Sequence, residues 1–61
     1  MGDRVFRRYP EARGHYNLAE AYFKKGDYGR TVSHYERCVA LAREVKAYDL
    51  LLRAYNGLGN V

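Results

Sequence analysis

Tryptophan is absent from this chain of 61 residues, and cysteine, proline and methionine occur once each. The single cysteine, Cys38, excludes an intramolecular disulfide framework and a multi-cysteine zinc site. The single proline, Pro10, leaves the rest of the chain free to form long helices. No run of about 18 apolar residues is present, so nothing here reads as a membrane-spanning helix. The opening stretch, MGDRVFRRYP, has no hydrophobic signal core. Phe6 stands where a myristoylation signal requires serine or threonine. A cytoplasmic setting is therefore the default expectation. Charge of one sign is not concentrated either: 11 basic and 7 acidic residues leave a net +4. That excess is compatible with an acidic partner and does not require one. At this length one small domain is the upper bound, and such a domain buries only about 60% of its unfolded surface.

Catalytic signatures are missing as well. There is no GxSxG, no Walker loop and no HExxH. His15 and His34 are 19 residues apart on different helical segments, and a metal site needs more ligands than these at suitable spacing. Cys38 follows His34 by one helical turn, but Glu36, the nearest carboxylate, falls on another face and could not orient the pair. Cys38 reads as a small packing residue. The expectation is no enzyme, no cofactor and no metal.

What is present is helical periodicity. Residues 3–9, DRVFRRY, form a stub too short to be a stable helix alone, and Pro10 is expected to close it. From Glu11 onward His15, Leu18, Ala19 and Tyr22 share one face. Gly26 supplies a helix stop and Asp27 an N-cap. Tyr28, Val32, Tyr35, Val39 and Ala42 then step by four and three, as in a helix packed in a bundle. Tyr48, Leu51, Leu52, Tyr55 and Leu58 mark a third helix, closed by Gly57 and Gly59. The predicted helices are 11–25, 28–43 and 45–57, and no segment alternates long enough to be a strand. Small residues, Ala19 and Ala21 against Thr31 and Cys38, would let the first two helices approach closely. Tyr22, Tyr35 and Tyr55 would fill the space between hairpins.

The chain then repeats itself. Leu18, Ala21, Tyr22 and Gly26 recur thirty-three residues later as Leu51, Ala54, Tyr55 and Gly59. The matches fall on the apolar face and the helix stop, where packing and chain reversal constrain the residue. A helix–turn–helix unit with a period near 33 residues has the size of one solenoid repeat.

The stretch HYNLAEAY, residues 15–22, resembles the first-helix signature of the tetratricopeptide repeat family. His15 takes the tryptophan position, Leu18 the leucine, Ala19 the glycine and Tyr22 the tyrosine. KKGDY resembles the usual turn. Thr31, Tyr35 and Cys38 occupy the small, aromatic and small positions of the second helix, and Arg43 replaces the expected proline. FRRYPEA, residues 6–12, resembles the end of a preceding repeat, and residues 48–60 resemble the first helix of a following one, with Leu52 in place of a small residue. The resemblance implies an all-α fold: an antiparallel hairpin plus a third helix, a fragment of an α-solenoid. It divides the chain into a stub at 1–10, a hairpin at 11–44 and a first or capping helix at 45–61. Because the pattern stops after half of a second unit, the chain is expected to be a fragment or to complete its core by self-association through helix 45–57.

The resemblance also implies a function. First helices of successive repeats line a concave groove that receives a partner peptide or protein segment. By position, that groove comprises Arg13, Tyr16, Asn17, Glu20, Lys24, Lys46, Asp49, Arg53 and Asn56. Asn17 and Lys46 match two positions of the carboxylate clamp found in some members. Leu50 stands where the clamp needs arginine, so a complete clamp is not expected. The alternative is RNA binding through Arg4, Arg7, Arg8 and Arg13, but Glu20, Glu36, Glu44 and Asp49 interrupt any continuous phosphate track.

Overall fold

In the computed structural model the backbone is described from Asp3 to Val61 and the side chains from Phe6 onward. Three helices follow one another antiparallel: α1 (Asp3–Lys25), α2 (Tyr28–Glu44) and α3 (Tyr48–Asn60). They form an elongated body of 39 × 16 × 13 Å, its length set by α1. α2 is central, with α1 and α3 both packed on it and touching each other at few points. Among the described residues no helix is long and apolar enough to cross a membrane.

The first correction concerns Pro10. It does not end a stub; it lies inside α1, which runs unbroken through residues 3–25. Proline removes one backbone hydrogen bond and crowds the carbonyl four residues back. Here that carbonyl belongs to Phe6, whose surroundings are open to water, and Pro10 is itself exposed. Tertiary contacts on the other side hold the turn helical. Ala12 is fully buried, Tyr9 packs on the core, and Arg8 Nε lies 3.5 Å from Glu44 Oε2 at the far end of α2. A helix too short to survive alone thus persists as the first turns of a longer one.

The core is built mainly from small residues. Ala12, Ala19, Cys38, Ala42 and Ala54 are fully buried, joined by Tyr35, Ala47 and Leu50. Small side chains at the crossings let the backbones come close, and dispersion contacts then replace bulk. Ala19, Thr31 and Cys38 are buried at the α1–α2 crossing as expected, whereas Ala21 is exposed. Thr31 is polar and fully buried, but its Oγ1 donates to the Asp27 carbonyl at 2.8 Å.

Several large residues expected on the buried face lie outside it. Leu18 is 45% exposed and Tyr55 49%, and Tyr28 and Tyr48 are exposed too. In α3 the buried stripe is Leu50 and Ala54, continued by Ala47 in the turn before it and flanked by Leu51 and Leu58. The apolar residues of α3 cover more than half the helix circumference, so periodicity alone did not choose between the two sides.

Both turns close in one way. At the end of α1, Gly26 N–H donates to the Phe23 carbonyl (3.0 Å) and Asp27 N–H to the Tyr22 carbonyl (2.9 Å), with Gly26 at φ 82°. At the end of α2, Lys46 N–H donates to Arg43 (3.3 Å) and Ala47 N–H to Ala42 (2.9 Å), with Lys46 at φ 57°. These are two Schellman closures, one with glycine in the left-handed position and one with lysine. The second places residues 45–47 in the turn, so α3 begins at Tyr48. Gly57 and Gly59 do not stop it: α3 continues to Asn60.

Asp27 caps α2, accepting from Arg30 N–H at 3.3 Å and pairing with the Arg30 guanidinium at 3.5 Å.

Candidate functional site: the cleft between α1 and α3

Because α1 and α3 both lean on α2 without closing on each other, a cleft of about 490 Å³ opens between them. From α1 it is lined by Tyr9, Arg13, Tyr16, Asn17 and Glu20, and from α3 by Asp49, Leu50 and Arg53. The α1 residues step by four, three, one and three, a single helical stripe. Leu50, 4% exposed, gives the floor an apolar point in a wall of amides, carboxylates and guanidinium groups.

A smaller hollow of about 170 Å³ is lined by Glu20, Phe23, Lys24, Tyr35, Gly57 and Asn60. Glu20 lines both, so the two hollows adjoin at that residue.

Six of the nine residues predicted for a groove therefore meet in the larger cleft: Arg13, Tyr16, Asn17, Glu20, Asp49 and Arg53. Lys24 lies in the smaller hollow. Lys46 is in the turn before α3, and Asn56 is exposed on α3 outside both hollows. Sequence reasoning missed Tyr9 and Leu50. Tyr9 stands one turn before Arg13, but a helix expected to begin only after Pro10 leaves it out of the stripe. Leu50 departs from the arginine of a carboxylate clamp, and its spacing to Ala47 and Ala54 marks a buried stripe.

Aromatic contacts stiffen the cleft wall. Tyr16 meets Tyr35 edge to face with ring centres 5.8 Å apart. Tyr35 in turn lies over Gly57: a Cβ built there would fall on the ring, 2.7 Å from Cε1 and Cε2. Gly57 thus permits α3 to approach α2 closely. Burial, followed by Tyr16, Glu20 and Cys38, raises the Tyr35 phenol above its ordinary value, so its hydroxyl stays protonated and neutral.

The expected bland role of Cys38 fits its surroundings. It is fully buried, and burial pushes its thiol up, away from the reactive thiolate. Among the described residues no group of three or more histidine, cysteine, aspartate or glutamate side chains is gathered closely enough to hold a metal ion. His15 and His34, however, come together across the α1–α2 interface, with their Nδ1 atoms 3.0 Å apart.

The basic face considered for RNA is divided. Arg8 is engaged by Glu11 at 3.9 Å and by Glu44 at 3.5 Å. Arg13 turns into the cleft. The Arg4 side chain lies outside the described residues.

A family model described as tetratricopeptide repeat matches residues 8–61. No curated protein and no solved structure matches the chain.

Proposed function

Because the chain belongs to the tetratricopeptide repeat family, whose members are generally protein–protein interaction modules, we propose that it receives a partner peptide or protein segment in the α1–α3 cleft. The observation that carries this reading is the convergence of Arg13, Tyr16, Asn17, Glu20, Asp49 and Arg53 on one concave surface. The wall offers hydrogen-bond donors and acceptors of both signs at the edge and an apolar floor at Leu50. An extended segment would satisfy its backbone on the amide and charged groups and set a side chain against Leu50 and the tyrosines. Lys24, Lys46 and Asn56 extend the same surface at its ends. The role is non-catalytic and needs no cofactor. In this reading residues 11–44 are the hairpin unit, 45–61 the first helix of a second unit, and 1–10 an extension of the first.

A second copy of the chain is a further occupant, at a different place. Tyr48, Leu52 and Tyr55 form an exposed apolar stripe along α3, spaced by four and three. Two-fold antiparallel pairing of α3 would set Tyr48 against Tyr55 of the other copy and Asp49 near its Arg53. RNA binding is the weaker alternative, since Arg8 is already neutralised by two carboxylates.

Replacing Arg53→Glu together with Lys24→Glu tests the reading. Both residues are exposed on helix surfaces, so helicity by circular dichroism should be unchanged. Capture of partner proteins from the source cell should fall by about tenfold or more. Unchanged capture would reject the cleft. Tight RNA binding that falls steeply with salt, with no protein recovered, would put the nucleic-acid alternative first.

A further inference from the structure

We propose that His15 and His34 form a proton-operated latch between α1 and α2, closed while the two rings share one proton and opened when both carry their own.

The geometry is specific. The Nδ1 atoms are 3.0 Å apart and the ring centres 5.2 Å apart. A ring nitrogen lies a little over one ångström from its ring centre, so both nitrogens must fall nearly on the line joining the centres. The ring planes differ by 26°. The imidazoles therefore meet edge to edge, each Nδ1 aimed at the other, and are not stacked face to face. This is the arrangement of an N–H···N hydrogen bond, in which one Nδ1 donates and the other must be bare. Two lone pairs facing each other at this distance leave no room for a metal between them.

Protonating the donor ring at its free Nε2 leaves this bond in place; protonating the acceptor Nδ1 as well removes the acceptor and sets two positive charges side by side. The surroundings add to that cost on balance. On α2, Arg37 lies near enough to repel a charge on His15; on α1, Glu11 attracts it. No group of α3 is among the charges that act on His15. Tyr22 lies parallel to His34, with 5.5 Å between centres and 6° between planes, and Arg30 stands 5.5 Å from the Tyr22 ring centre. Burial, then His34, then Arg37 hold His15 below its ordinary value of 6.5, with Glu11 opposing. A histidine held down in the fold takes its proton more readily when unfolded. The latch therefore contributes its full stability above pH 6.5 and loses it as the pH falls through the lowered His15 value.

The latch adjoins the cleft. Tyr16 and Tyr35, each the next residue after a latch histidine, form the edge-to-face pair at the cleft wall. Parting α1 from α2 at the histidines parts these rings as well. This consequence for the cleft rests on the functional reading above; the latch itself does not.

The test uses the free chain of 61 residues. Imidazole ¹⁵N spectra near neutral pH should show one protonated Nδ1 and one bare Nδ1 in the pair. The melting midpoint should fall by about 5 °C between about pH 7.5 and 5.5, a shift of the size one lost interaction gives in a domain this small. His15→Gln and His34→Gln, which each retain a neutral hydrogen-bonding group, should remove at least half of that fall. Nuclear Overhauser contact between the Tyr16 and Tyr35 rings should weaken over the same pH range. Equal pH dependence in the parent and both variants would overturn the latch. Should the variants not fold, two bare Nδ1 atoms at neutral pH would overturn it in the parent alone. A Tyr16–Tyr35 contact that outlasts the histidine bond would overturn the link to the cleft, leaving the partner reading to its own test.

Discussion

At the crossing of α1 on α2 stands Ala19, with no exposed surface; thirty-three residues later, at the same place in the repeated pattern, α3 carries Leu52, 62% exposed. Tyr22 and Tyr55 form a similar pair. The first is half-buried, parallel to His34 and approached by Arg30; the second is 49% exposed. The two helices share a signature, yet only in α1 are Ala19 and Tyr22, its small and second aromatic positions, packed against α2. α3 instead packs through the other side, on Ala47, Leu50 and Ala54, as the neighbour of the first hairpin. A repeat pattern thus marks faces that are able to pack. Which face is buried depends on which neighbour is present.

Making α1 resemble α3 should have the largest effect. Ala19→Leu forces a large side chain into a crossing built for none, and should cost about 1–3 kcal/mol or more in chemical denaturation. The reciprocal Leu52→Ala should change stability by no more than about 0.5 kcal/mol, since its side chain is mostly in water. Equal effects would mean that the α1–α2 crossing is not the tight one.

The next contrast lies within α3. Gly57→Ala sets a methyl group on the Tyr35 ring, so ring or helix must shift, at a net cost of about 1–2 kcal/mol after the gain in helix propensity. Gly59→Ala meets nothing within 4 Å and should be neutral or stabilising by a few tenths of a kcal/mol. Thermal melts of the two variants should move in opposite directions or differ clearly. Were both neutral, α3 would stand farther from α2 than described.

The two turns give the smallest effects. Gly26→Ala places a Cβ at φ 82° and should cost about 1 kcal/mol. Lys46→Gly relieves the same conformation at φ 57° and should gain about 0.5 kcal/mol, net of the greater freedom glycine brings to the unfolded chain. A loss on Lys46→Gly would show that the lysine side chain contributes more than its backbone conformation costs.

Much of the fold is legible in the sequence because α1 and α2 obey strong local rules. Gly26 and Asp27 announce the first turn, Tyr35 and Ala42 are buried as their spacing predicts, and Thr31 and Cys38 are buried as small residues at a crossing. The features that escaped depend on tertiary context. Pro10 is a helix breaker by local rule, but contacts from Tyr9, Ala12 and the Arg8–Glu44 pair carry the helix through it. Lys46 in a left-handed turn carries no glycine signal, so the expected start of α3 at residue 45 falls three residues early. Leu18 looked like core because it is apolar and in register, yet no helix covers it here. Most of the cleft residues were found because polar positions opposite a packed stripe remain polar whichever neighbour is present. The His15–His34 bond joins two segments that share no sequence motif, and only the helix packing brings them together.

Entry of partners between α1 and α3, as proposed above, can be checked by placing a photo-crosslinking amino acid in turn at Asn17, in the cleft, and at Ser33, exposed on α2, and irradiating the source cells. Protein adducts are expected from position 17, and none above background from position 33. Adducts from position 33, with none from position 17, would contradict it.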